Sequence, residues 1–213
     1  MPSGNSYKIR TKNRNLFLRV STGHFATNHS HINYYIDVTT QKTRLSEAQA
    51  VADALVSYYN QNTIVDTILC LDGTEVIGAC LATNLTRGDF MNLNAHQTIY
   101  VITPEHTSGS QIIFRDNILP AITGKNVLIL AASVTTGFTA RAAIEAINYY
   151  GGMVAGISSI FATVDECMGF KVNSVFDTKD LGDYKTYSSH ECPMCRAGNK
   201  IDALVNSFGY SKL

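Results

Sequence analysis

Apolar runs of strand length alternate along the chain with segments whose apolar residues recur at helical spacing. In "SEAQAVADALVSYYN" (46–60), Val51, Ala54, Leu55, Tyr58 and Tyr59 fall on one helical face. Ser46, followed three residues later by Gln49, predicts a capping box at the start of that helix. "TIVDTILCL" (63–71) is of strand length, "DGTE" (72–75) forms a turn, and "VIGACLATNL" (76–85) fits a short helix. "TIYVITPEHTSGSQIIF" (98–114) sets two β-rich runs around a polar loop with Pro104 and Gly109, which fits a hairpin or a flap equally.

The longest continuous pattern is "NVLILAASVTTGFTARAAIEAINYYGG" (126–152). It predicts a buried strand, a short Thr/Gly loop, and a helix with Ala140, Ala143, Ile144 and Ile147 on one face. Gly151 is placed to end that helix in the left-handed conformation. "MVAGISSIFA" (153–162) and "VNSVF" (172–176) are further strand candidates, and "IDALVNSF" (201–208) a terminal helix. Strands apolar along their whole length, alternating with helices, indicate an α/β fold whose mostly parallel sheet is covered by helices on both faces. Ligands of such sheets bind beyond the carboxyl ends of the strands, where "DGTE" and "ASVTTGFT" would both lie.

Composition narrows the function classes. The chain has 213 residues, 45% hydrophobic and 16% charged, which suits one domain of moderate size or a core with an attached hood or tail. A formal net charge of zero argues against a nucleic-acid surface, which needs clustered cations. No apolar window is long enough to span a bilayer, and "MPSGNSYKIRTKNRN" lacks the apolar stretch of a secretory signal, so a cytoplasmic location is expected. Five scattered cysteines fit reduced thiols, with Cys70 and Cys80 packed as small hydrophobes.

The Thr/Gly loop carries the first chemical signal. Helix N-termini leave backbone N–H groups unpaired and partly positive, so a phosphate can dock at Thr135, Thr136, Gly137, Phe138 and Thr139 without any Lys or Arg. The plain alternative is a strand-to-helix turn with Thr139 as N-cap. The loop is neither a GxGxxG fingerprint nor a GxxxxGK[ST] P-loop, which removes the usual support for dinucleotide or ATP binding.

"VLILAASVTTGFTARAAIEAI" resembles the phosphoribosyl-diphosphate (PRPP) motif of type I phosphoribosyltransferases. "HSHINYYIDVT" (29–39) and "ECPMCRAGNKI" (191–201) are similar to N- and C-terminal segments of the orotate phosphoribosyltransferase branch, and "LDGTEVIGACLA" sits where the family binds pyrophosphate. The resemblance implies a core at 46–180, an N-terminal hood segment at 1–45 and a C-terminal segment at 181–213 holding the CxxC pair. It also implies a homodimer, a 5′-phosphate on residues 135–139, and a ribose or pyrophosphate beside Asp72, Gly73, Thr74 and Glu75. Tyr34 and Tyr35 would lie on the base side.

The departures from the family fall on its chemistry. The acidic pair that grips the ribose hydroxyls, directly or through Mg²⁺, is replaced by Ala131 and Ala132. Charge-assisted hydrogen bonds are worth roughly 1.5–3 kcal/mol each, so losing two weakens sugar binding by decades unless Asp72 or Glu75 compensates. The family's basic catalytic loop corresponds to "ITPEHTSGSQ" (102–111), which keeps His106 but has no Lys or Arg, leaving Arg115 as the nearest cation. The base-binding Lys corresponds to Thr27. The expected function is therefore an orotate phosphoribosyltransferase-like binder of a ribose 5′-phosphate, PRPP or nucleotide, with ordinary orotate transfer impaired or lost. The alternative is an active transferase for a different nucleobase, using Mg²⁺ and relying on Glu75 and His106 as catalytic residues.

"HECPMC" offers His190, Cys192 and Cys195. The spacing suits zinc, but a structural site wants four protein ligands and only three are local; Cys167 or His29 could complete it. A redox pair and plain packed or solvent-facing thiols are the other readings, and the resemblance explains the motif without metal. His24, His29 and His31 cluster beside "NYYID", as a base-recognition segment or as solvated loop residues. Tyr58, Tyr59, Tyr149 and Tyr150 end helices and are expected to pack or to make dimer contacts.

Overall fold

The computed structural model describes residues 6–11, 16–28, 30–59, 61–87, 92–95, 97–108, 111–206 and 208–213. His29, Gly109 and the helix end expected at Asn60 lie outside them. The chain divides into two compact units, one of Gln41–Phe176 and one joining Met1–Thr40 with Asp177–Leu213.

In chain order, the elements begin with β1 (Ser6–Arg10), β2 (Phe17–Ala26), β3 (His31–Asp37), α1 (Thr39–Thr43) and α2 (Leu45–Leu55), the last continued by a 3₁₀ turn to Tyr58. β4 (Thr67–Cys70), α3 (Glu75–Thr86), β5 (Tyr100–Ile102), β6 (Glu105–His106) and β7 (Ile112–Ile113) follow. Next come β8 (Asn126–Val134), α4 (Phe138–Tyr149), β9 (Met153–Ala162), β10 (Glu166–Cys167) and β11 (Phe170–Asp177). The chain closes with β12 (Thr186–Tyr187), α5 (Pro193–Arg196), β13 (Ala203–Asn206) and β14 (Gly209–Lys212).

The larger unit is the α/β core that the apolar runs predict. Its sheet has the order β10-β11-β9-β8-β4-β5. The pairs β4–β5, β4–β8 and β8–β9 are all parallel, as crossover helices require. Residues of odd number in the central strands (Leu69, Val127, Ile129, Ala131) pack with Ala140, Ala143, Ile144 and Ile147 of α4 in one buried cluster. Side chains of even number face the other way. There α3 approaches so closely that a Cβ on Gly78 would lie 2.5 Å from Cys70 Sγ and 3.6 Å from Ile68 Cγ2. Both faces are thus covered, which is why these strands are apolar throughout.

The smaller unit is an antiparallel sheet of order β12-β3-β2-β13-β14, with β1 also on β2 and one parallel pairing, β13 on β2. Phe25, Tyr35, Ala203 and Val205 form its core.

Two local expectations are corrected, and one left open is resolved. Residues 201–208 do not form a helix but carry β13, because Ala203 and Val205 are buried while Leu204 and Asn206 are exposed, a period of two completed by β2 and β14 on either side. Ser46 does not cap α2: Arg44 holds the N-cap position without a side-chain cap bond, and Ser46 lies within the first turn. The segment 98–114, open between a hairpin and a flap, divides in two. β5 joins the central sheet beside β4, and only β6 and β7 pair as a short antiparallel ribbon. Gly151 does end α4 in the left-handed region, at φ +77°.

Candidate functional site

The parallel register aligns Cys70 of β4 with Leu130 of β8, so the loops that leave these two strands begin side by side. Leu71 N donates to Leu130 O at 2.8 Å, extending the pairing to the edge of the loop. The Thr74 hydroxyl donates to both Leu71 O and Leu130 O, at 2.9 Å each. Thr74 is fully buried, and its hydroxyl pins the loop to both strand ends.

Between Leu71 and Thr74 the backbone takes two successive left-handed residues, Asp72 at φ +58° and Gly73 at φ +79°. Glycine adopts this region freely, whereas a non-glycine residue there is uncommon and must be held by its surroundings. Part of that hold comes from Lys42, whose Nζ donates to Asp72 O at 2.7 Å. Lys42 is buried, on the short helix α1 that ends just before α2 begins at Leu45, and no signal in "TTQKTR" marks it. Its ammonium would lie 3.7 Å from a Cβ on Gly73. Gly73 and Glu75 are exposed and Asp72 half-buried, so a concentrated positive charge sits just beneath a solvent-facing loop with two carboxylates.

β8 ends at Val134, and Thr135, Thr136 and Gly137 lead into α4. Gly137 is the N-cap residue at φ +76°, and its carbonyl accepts the first helical bond, from Arg141 N at 2.8 Å. Thr139 is therefore inside the helix rather than its cap. Thr135, Thr136, Phe138 and Thr139 are exposed, Phe138 with 63% of its surface open. The residue directly after β9 braces the loop: Thr163 N donates to Val134 O at 3.0 Å and Thr163 Oγ1 to Thr135 O at 2.8 Å. The result is a preformed helix N-terminus, rimmed by threonine hydroxyls and open to solvent, which is the geometry that binds a phosphate dianion.

Ala131 and Ala132, one turn of strand before this loop, are 1% and 2% exposed. Ala131 belongs to the apolar cluster against α4. His106 is exposed on β6. Arg115 is paired with Glu105 at 2.5 Å, so the cation nearest the β6–β7 ribbon is already neutralised by a carboxylate of that ribbon.

The remaining candidates lie in the smaller unit. Tyr35 is 5% exposed, packed edge-on to Tyr210 at 5.3 Å and tilted against Phe25 at 6.0 Å. Burial, reinforced by Asp37 and Tyr210, pushes its phenol pKa well up. Tyr34, half-buried, faces Tyr184 at 6.3 Å. Cys192 and Cys195 gather with His24 and His31; His190 is exposed and does not belong to this group. Tyr59 is buried, its hydroxyl bonded to Ser158 and Asn173, while Tyr149 is 82% exposed.

No family model matches the chain. Curated relatives do. It is 35% identical over 75 residues to an orotate phosphoribosyltransferase of Caldanaerobacter subterraneus, a match spanning 35% of this chain and 38% of that protein. It is 26% identical over 185 residues to the orotate phosphoribosyltransferase of Chlorobium phaeobacteroides, covering 85% of this chain and 86% of that one. Among solved structures, orotate phosphoribosyltransferase of Mycobacterium tuberculosis H37Rv superposes with a TM-score of 0.55 over 78% of this chain and 93% of that chain, at 18% identity. The same enzyme has been solved in complex with PRPP, with a TM-score of 0.50.

The chain is orotate phosphoribosyltransferase-like, with the type I phosphoribosyltransferase fold.

Proposed function

We propose that this orotate phosphoribosyltransferase-like chain is a receptor for a ribose 5′-phosphate or nucleotide, in which ordinary orotate transfer is impaired or lost. The observation that carries the reading is the pairing of an open, braced phosphate loop at 135–139 with a strand end that offers no side-chain oxygen at 131 or 132. Thr135, Thr136, Gly137, Phe138 and Thr139 cradle the 5′-phosphate through main-chain N–H groups and hydroxyls. Asp72, Gly73, Thr74 and Glu75 shape the sugar or pyrophosphate side, with Lys42 holding their backbone.

Magnesium does not fit the strand end. Mg²⁺ takes carboxylate and phosphate oxygens in near-octahedral geometry, and Ala131 and Ala132 supply none. Ligand binding is therefore expected without the metal. Charge compensation for a leaving pyrophosphate is equally thin, since Arg115 is tied to Glu105 and only His106 remains on the ribbon.

Calorimetric titration with ribose 5-phosphate, UMP, OMP and PRPP, with and without Mg²⁺, tests the reading together with an orotate–PRPP assay. Metal-independent binding of a phosphate ester, abolished by Gly137→Pro and without turnover, is the expected result. Robust conversion of orotate by the purified chain would sink it.

A second reading is favoured by one observation, the exposed Glu75 beside the Lys42-anchored turn. This is a transferase for a different nucleobase, with Glu75 replacing the lost acids and His106 serving the leaving group. It predicts Mg²⁺-dependent PRPP binding and loss of that activity in Glu75→Gln. Assembly as a homodimer accompanies either reading by the resemblance, and sedimentation of the purified chain checks it. Among the described residues, no helix is long and apolar enough to cross a membrane.

A further inference from the structure

We propose that the smaller unit is a structural zinc module whose ligands are His24, His31, Cys192 and Cys195. Their ligating atoms all lie within 4.8 Å of one another, although the two pairs are more than 160 residues apart in the chain. His24 Nε2 is 3.1 Å from His31 Nδ1, 3.5 Å from Cys192 Sγ and 3.6 Å from Cys195 Sγ. Cys195 Sγ is 3.3 Å from His31 Nδ1.

These separations match the edges of a zinc tetrahedron. With Zn–N of about 2.0–2.1 Å and Zn–S of about 2.3 Å, tetrahedral angles put two nitrogens about 3.3 Å apart and a nitrogen and a sulfur about 3.6 Å apart. Hydrogen bonding explains the convergence poorly. His24 Nδ1 faces the carbonyl oxygens of Asn199 and Lys200, at 3.1 and 3.2 Å, and carbonyls only accept. Nδ1 therefore carries the hydrogen, and Nε2 has a single lone pair for three neighbours. One lone pair on a shared cation satisfies the same geometry, and a carbonyl bonded to the far ring nitrogen is the usual support of a metal-bound histidine.

The backbone is shaped to make this meeting. The β2–β3 ladder shifts register between Thr22 and Phe25, so β2 carries an extra residue where Gly23 and His24 lie. Such a bulge re-aims a side chain. Asp202 fixes it: its Oδ2 accepts from His24 N at 2.8 Å, and Asp202 N donates to His24 O at 2.8 Å. Gly23 is required for that approach, since a Cβ there would lie 2.7 Å from Asp202 Oδ2. On the other side, Cys192 precedes Pro193 at the start of α5 and Cys195 lies one turn on, with Gly198 at φ +77° turning the chain back toward β13. Cys192 and His24 are buried, at 0% and 3% exposed, His31 is 9% exposed, and Cys195 is at the surface. Four protein ligands leave no open position, so the site is structural, joining the β2–β3 hairpin to the C-terminal segment.

The test uses the full chain expressed in zinc-supplemented medium. One zinc per chain should survive dialysis, and its removal by a chelator should lower the thermal midpoint, restored by zinc. Cobalt(II) added to the chelated chain should give the intense visible bands of a tetrahedral cobalt–thiolate centre. Cys195→Ser, at the exposed ligand, should lose the zinc, whereas His190→Ala should keep it. A chain without zinc and without cobalt–thiolate bands overturns the proposal, as does metal retained by a Cys192→Ser/Cys195→Ser double variant. A Cys192–Cys195 disulfide in freshly purified protein also overturns it, in favour of a redox pair. The stoichiometry and cobalt spectrum are read on the native chain, so a variant that fails to fold does not rescue or defeat the assignment.

Discussion

Lys42 Nζ donates to the main-chain carbonyl of Asp72 at 2.7 Å, tying a buried ammonium to the first of two left-handed residues in the β4–α3 loop. The bond reaches across thirty positions of sequence. It stabilises a backbone that a non-glycine residue does not adopt unaided. Lys42→Met keeps the aliphatic stem but leaves the Asp72 carbonyl without this donor. The expected cost is about 1–3 kcal/mol in chemical denaturation. Weaker binding of PRPP or pyrophosphate than of a simple 5′-phosphate should accompany it, because the proposed function assigns the disturbed loop to the sugar side.

Gly137 reaches φ +76° at the N-cap of α4, and a Cβ there would lie 3.3 Å from Cys167 Sγ. Gly137→Ala is expected to destabilise the fold by about 1–2 kcal/mol, from left-handed strain. Phosphate affinity should fall at least as steeply, since the first-turn N–H groups would be re-aimed. A Thr136→Val variant provides the contrast: its stability should hold, because Thr136 is exposed, while binding of the phosphate ester weakens.

Restoring an acid is expected to fail. Ala131 is 1% exposed inside the cluster that packs β8 on α4, so the carboxylate of Ala131→Glu would be buried without a partner. The expected loss is about 3 kcal/mol or more. Urea unfolding of the variant checks the cost, and an orotate–PRPP assay should show no gain of transfer. A stable variant with new activity would show instead that the strand end can open toward the sugar.

Alkaline pH should unfold the larger unit early. Burial pushes the Cys70 thiol up to about 12, with Thr74's hydrogen bond opposing and Glu75 reinforcing the rise. A thiol of raised pKa stabilises the fold fully below its unfolded value, about 8.5, and that contribution is lost as pH rises toward 12. Burial also raises the Tyr59 phenol, in the same direction. Denaturation midpoints should fall steadily above pH about 9, and Cys70→Ala should flatten, without abolishing, that slope.

The continuous apolar strands 126–134 and 153–162 and the amphipathic helix between them needed only local periodicity, and the parallel α/β core follows from them. The Thr/Gly loop was equally legible, because a strand, a short polar turn and a helix define a helix N-terminus before any packing is known. Short elements were not. β13 reads as a helix until β2 and β14 flank it, since its alternation spans only Ala203 to Asn206. Ser46 had the spacing of a cap but not the position, which tertiary packing of α2 set at Arg44. Lys42 beneath Asp72, and His24 and His31 against Cys192 and Cys195, are pairings between distant segments. Sequence by itself determined which of the long segments become strand or helix, because that choice depends on neighbours three or four residues away. Only the tertiary structure decided which distant side chains meet, because sheet order, a one-residue bulge at Gly23–His24 and the turn at Gly198 bring them within bonding distance.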